Sequence, residues 1–146
     1  MLAAVLAAAL LSPACGGGGG GGNGGGAVVG PTGPSRAVIT EQGWQLEPLS
    51  FSAVDISITG SGSGSVEATV EWTFASDDVD LYVTATACTT AQFAVEACAY
   101  KAKADGTGTK PERVSFSVSA GDTYRFWIVN FGPQSESGTF QAVLVR

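Results

Sequence analysis

VEATVEWTFASDDVDLYVTATA, Val66–Ala87, is the stretch that decides the fold. Its first half alternates: Val66, Ala68, Val70, Trp72 and Phe74 share one face, and Glu67, Thr69, Glu71 and Thr73 share the other. Side chains on a strand change face at every residue, so the run predicts a β-strand with one buried and one solvated face. After the polar corner Ala75–Asp78, Val79–Val83 predicts a partner strand.

Outward from this centre the same pattern recurs. Ala37–Glu41 reads as an edge strand, and Trp44, Leu46 and Leu49 are expected to pack on the sandwich, with Pro48 limiting that segment to an edge. Val54, Ile56 and Ile58 share a face, and Gly60–Ser65 (GSGSGS) is expected to close a hairpin onto the central strand. Val114, Phe116 and Val118, then Tyr124, Phe126 and Ile128, then Phe140, Ala142 and Leu144 mark three further inward faces. Between Cys88 and Ala104, Phe93, Val95 and Tyr100 are the expected buried anchors. No convincing amphipathic helix is present. Seven to nine short strands between turn signals predict an all-β, antiparallel β-sandwich over residues 37–146.

Leu2–Leu11 is a run of ten apolar residues. That is too short to span a bilayer and suits the apolar region of a signal peptide, expected over residues 1–14. Ser12-Pro13-Ala14-Cys15 resembles a lipoprotein cleavage site, with Cys15 as the lipidated residue and Ser12 where that motif usually carries Leu. Ten of the eleven residues from Gly16 to Gly26 are glycine, with Asn23 the exception. Glycine has the most backbone entropy to lose and no side chain to bury, so residues 15–36 are expected to be a disordered tether. About twenty such residues reach roughly 25 Å. Two readings of the front end stand open: a lipoprotein held in the bacterial cell envelope through Cys15, or a secreted protein cleaved near Ala14.

Cysteine arithmetic agrees with export. With Cys15 lipidated, Cys88 and Cys98 remain as an even pair in an oxidising compartment. A bridge between them closes a loop of about eleven residues, worth roughly 2.8 kcal/mol by loop entropy.

Seven Lys and Arg against thirteen Asp and Glu make the chain acidic. That excludes the basic footprint of a nucleic-acid binder. There is no histidine, which removes the commonest general base. No serine sits in a G-x-S-x-G elbow. A Ser–Lys dyad with Lys101, Lys103 or Lys110, or paired carboxylates, is the residual catalytic option, and a non-catalytic protein is expected.

Asp78-Val79-Asp80-Leu81-Tyr82-Val83, Ser119-Ala120-Gly121-Asp122-Thr123-Tyr124 and the closing Ser137–Val145 strand together resemble the bacterial pre-peptidase C-terminal domain. The first stretch resembles that family's Asp-x-Asp-Leu-Tyr strand, and the second its glycine turn followed by an aromatic. The resemblance covers about Val66–Val145 and implies a jelly-roll-like sandwich and an extracellular binding or stabilising module. In some relatives such a module is calcium-dependent. The alternative reading is a secreted accessory domain of an extracellular protease system, with no ligand of its own.

Two candidate sites follow from the residues. Asp77, Asp78 and Asp80 are the densest carboxylates and could offer oxygens to calcium, a hard cation that takes six to eight. Otherwise they cap backbone N–H groups at the turn. Trp127 and Val129 point away from the core face of Tyr124–Asn130. An exposed Trp127 beside Tyr82 would make a platform for a glycan ring or for the apolar anchor of an envelope or extracellular protein. The alternative is that Trp44–Leu49 or a neighbouring loop covers Trp127. Asn130-Phe131-Gly132-Pro133 reads as a structural corner.

Overall fold

A computed structural model describes residues 33–146. The expected signal peptide, Cys15 and the tether as far as residue 32 lie outside the described residues. Among the described residues eight strands form in chain order: β1 (Arg36–Leu46), β2 (Ser50–Ser57), β3 (Ser63–Trp72), β4 (Val79–Ala85), β5 (Tyr100–Ala104), β6 (Glu112–Ser119), β7 (Thr123–Asn130) and β8 (Glu136–Val145). One short helix, α1 (Thr90–Phe93), lies between β4 and β5.

The strands make two four-stranded antiparallel sheets, ordered β1-β8-β3-β6 and β2-β7-β4-β5. First pairs with last, second with seventh, third with sixth and fourth with fifth. This is one long two-stranded ribbon rolled onto itself, the connectivity of a jelly roll. Val66, Ala68, Val70 and Trp72 of β3 meet Val79, Leu81 and Val83 of β4, Tyr124, Phe126 and Ile128 of β7, and Phe140, Ala142 and Leu144 of β8 in one core between the sheets.

Several expectations are corrected. Val54–Thr59 and the central strand are not a hairpin: β2 pairs with β7, and β3 lies between β6 and β8. Nor does β4 pair with β3; the corner at 73–78 carries the chain to the opposite sheet. Phe74 falls beyond the end of β3 and is exposed. Alternation specifies which face a residue takes, whereas in a rolled ribbon the neighbour comes from the far end of the chain. Leu49 and Val95 are not buried anchors but 78% and 72% exposed. Tyr100 is exposed at its margin too.

Candidate functional site

β7 is apolar on both faces, and its outer face carries Trp127 and Val129. Trp127 is 1% exposed, so it is no open platform. Its cover is the loop between Cys88 and Cys98, not Trp44–Leu49. The two cysteines are bonded, with Cα atoms 5.9 Å apart. Inside the closed loop Thr89 starts α1: its hydroxyl accepts from the Gln92 N–H at 3.3 Å, and Gln92 Oε1 accepts from the Thr89 N–H at 2.9 Å. This reciprocal capping box satisfies two N–H groups and makes a very short helix stable enough to hold Phe93 in place.

Phe93 stacks on Trp127 with centroids 4.2 Å apart. Phe51 meets Trp127 edge-on at 5.7 Å, and Tyr82 meets Phe93 at 5.8 Å and Tyr100 at 5.2 Å. Trp127 Nε1 donates to Thr84 Oγ1 at 3.0 Å, so the buried indole leaves no polar group unpaired. Arg125 secures the far side. Its guanidinium lies 5.5 Å from the Trp127 ring, donates to both Asp55 carboxylate oxygens at 2.6 Å and to the Cys88 carbonyl at 2.8 Å. The outer face of the β2-β7-β4-β5 sheet thus carries a second aromatic layer, clamped by a disulfide.

Where this layer stops, a hollow of about 220 Å³ opens. Phe51, Tyr82, Phe93 and Tyr100 line it from the layer, while Leu49, Glu96 and Phe131 line it from three separate turns. Phe131 is held by Asn130, a fully buried side chain whose Nδ2 donates to the Glu47 and Gln134 carbonyls and whose Oδ1 accepts from the Gly132 N–H. The expected corner is therefore also a clasp between the turn before β2 and the turn after β7.

Two rim residues are strained. Leu49 and Glu96 both have φ 54°, and they are the non-glycine residues with positive φ among the described residues. The left-handed region crowds a Cβ against its carbonyl and costs about 1–2 kcal/mol per residue. Both line the same hollow from opposite sides of the sequence. Sequence reading missed this. The remaining cue, an exposed Leu after Pro48, is indistinguishable in sequence from a core leucine.

The three aspartates go to different places. Asp77 is buried under Gly132, where a Cβ would stand 2.6 Å from Asp77 Cγ, and neither of its carboxylate oxygens has a hydrogen-bond partner. It therefore caps no backbone N–H. Asp78 is half-buried, and its carbonyl accepts from the Phe131 N–H at 2.8 Å. Asp80 lies buried on the outer face and accepts a 2.7 Å hydrogen bond from the Tyr82 hydroxyl. Burial pushes the Asp80 carboxyl above its usual range, and burial with the Asp80 bond pushes the Tyr82 hydroxyl up as well. No group of three or more acidic or cysteine side chains among the described residues is placed to share an ion. The Asp77, Asp78 and Asp80 set therefore does not fit a calcium coordination sphere as it stands.

No family model and no curated protein matches the chain. Among solved structures, a Yersinia pseudotuberculosis-derived mitogen superposes with a TM-score of 0.50 at 12% identity, over 75% of this chain and 85% of that one. Aeromonas hydrophila PliG, a periplasmic inhibitor of g-type lysozyme, gives 0.48 at 14% identity over 82% and 93%. A carbohydrate-binding module of Cellvibrio mixtus lichenase 5A, in complex with cellotriose, gives 0.33 at 12% over 76% and 86%. At such identities the first likeness is one of fold, an antiparallel β-sandwich.

Proposed function

We propose that this chain is an exported, non-catalytic binding module, carried at the cell envelope by lipid on Cys15, and that the aromatic hollow is its binding site. Export is supported by the Cys88–Cys98 bond, since such bonds persist in oxidising compartments. Anchoring is supported by the apolar run Leu2–Leu11 and the glycine tether behind Cys15. The likeness of Asp78–Val83 and Ser119–Tyr124 to the pre-peptidase C-terminal domain belongs to the same proposal, as an extracellular binding or stabilising role.

One observation carries the placement of the site: both left-handed, side-chain-bearing residues stand on the rim of one aromatic hollow. Strain of this kind collects where a side chain is needed for something other than folding. Glycine at either position would remove the clash, and glycine's extra chain entropy cancels only part of that gain, leaving up to about 1 kcal/mol of added stability. Leu49→Gly is therefore expected to fold at least as stably as wild type while binding less well.

The test titrates protein labelled for NMR with a cello-oligosaccharide, a chito-oligosaccharide, a basic peptide and an acidic peptide. One of them is expected to shift the Tyr82, Glu96 and Tyr100 resonances saturably, with a weaker response in Leu49→Gly. Shifts confined to other surfaces, or identical in the variant, would refute the hollow as the site. Fatty-acid labelling of wild type and Cys15→Ser tests the anchor, and an unlabelled wild-type protein in a bacterial host would remove it.

A further inference from the structure

The hollow's charge says what kind of guest suits it. Among the described residues, Glu96 is the one carboxylate along its lining, and no Lys or Arg lines it. Arg125 is paired with Asp55, and Lys103, opposite Tyr82 in the register, is paired with Asp105 at 2.6 Å. Tyr82, in the wall, donates its hydroxyl to the buried Asp80 carboxylate, a charge-assisted bond that draws electron density towards the ring. An aromatic surface with a carboxylate at its edge attracts cations twice, through the ring quadrupole and through the charge.

The molecule already uses this combination once. On the other side of the same aromatic layer, the Arg125 guanidinium lies over Trp127 and pairs with Asp55. We infer that the hollow receives an arginine or lysine side chain of a basic partner protein, with the apolar stem against Leu49 and Phe131 and the cationic head between Tyr82, Tyr100 and Glu96. The formal charge of −6 adds long-range attraction for such a partner. A stem of methylenes with a charged tip matches a hollow of apolar and aromatic side chains with a carboxylate on its lining.

This inference rests on the hollow being the binding site, and the experiment separates the two. The probes are N-acetyl-arginine methylamide, its neutral isostere N-acetyl-citrulline methylamide, and methyl β-glucoside, each titrated at millimolar concentration and read by NMR. The arginine probe is expected to shift the Tyr82, Glu96 and Tyr100 resonances, roughly tenfold more tightly than citrulline. Glu96→Gln, an exposed change that spares the fold, is expected to weaken arginine by about three- to fivefold and leave citrulline unchanged. Raising NaCl from 0.05 to 0.5 M is expected to weaken arginine alone. Citrulline or glucoside binding as tightly as arginine in the hollow would overturn the cationic guest while keeping the site. No response from any probe at those resonances would overturn both.

Discussion

The ring of Phe93 lies flat on the indole of Trp127, 4.2 Å away and within 3° of parallel. The stack joins a residue from a disulfide-closed insert to one from the middle of a sheet, and so helps bury both faces of that strand from Phe126 to Asn130. Offset stacking contributes about 0.5–1.5 kcal/mol beyond the area it buries. Phe93→Ala removes the stack and the edge contacts of Phe51 and Tyr82 together, and a loss of about 3–4 kcal/mol is expected. Denaturant unfolding measures it, and a red shift of indole emission reports the uncovering of Trp127. The shift should vanish in Phe93→Ala/Trp127→Phe, because Trp44 and Trp72 are buried elsewhere. Equal stability of Phe93→Ala and wild type would mean that the insert does not hold this face.

The disulfide acts on the same insert through the unfolded chain. Cys88 and Cys98 are ten positions apart, and opening that loop releases roughly 2.8 kcal/mol of chain entropy in the denatured state. For about 110 residues this corresponds to a fall in Tm of roughly 12 °C. Cys88→Ser/Cys98→Ser is expected to show that fall in calorimetry and to lose binding in the hollow, because Glu96 sits inside the loop. A double variant that melts within a degree or two of wild type contradicts this account.

Much of the sandwich was legible because period-two alternation names a face. Val66–Trp72, Val114–Val118, Tyr124–Ile128 and Phe140–Leu144 all turn their expected residues inward. Neighbours were not legible: Gly60–Ser65 looks like a hairpin turn, yet Gly60 and Gly62, both at positive φ, instead let the chain leave one sheet for the other. The site was half legible. That Trp127 points to the outer face follows from alternation, and the structure sets it opposite Tyr82 across β4 and β7. What covers Trp127 depends on how an insert folds back, and alternation carries no information on that. Val95 and Phe93 are equally apolar in sequence, and only the helical turn starting at Thr89 decides which of them faces the sheet.

Glu136 gives a second kind of prediction, because it is 1% exposed with its charge spent on backbone. Its carboxylate accepts from the Thr73 N–H at 3.0 Å and the Phe74 N–H at 2.9 Å. These bonds fix the corner where the chain crosses between sheets. Glu136→Ala takes the acceptor from these two N–H donors and from the Ser137 N–H at 3.3 Å, and a cost of about 2–4 kcal/mol is expected. Hydrogen exchange at Thr73 and Phe74 should accelerate well beyond that at β3. Unchanged exchange there would show that another group satisfies the corner.

The pH dependence of stability isolates the buried acids. Burial pushes the carboxyls of Asp80 and Glu112 above their ordinary values. A raised acid in the folded state binds more protons than the unfolded chain does across that window, so stability falls as pH rises through it. Asp55, bonded to Arg125, and Asp122, bonded to the Ser119 N–H and the Tyr124 hydroxyl, are lowered and act in the opposite sense: their contribution is lost as pH falls through their folded values. The two effects overlap in wild type, and substitution separates them. Asp80→Asn keeps an acceptor for the Tyr82 hydroxyl, and Glu112→Gln keeps the volume between the sheets. Each is expected to gain stability relative to wild type as pH is raised from about 4 to 7, the span in which an ordinary carboxyl becomes fully charged. Urea midpoints measured across that range test it: a difference from wild type that does not change with pH would mean that neither carboxyl is penalised by its burial.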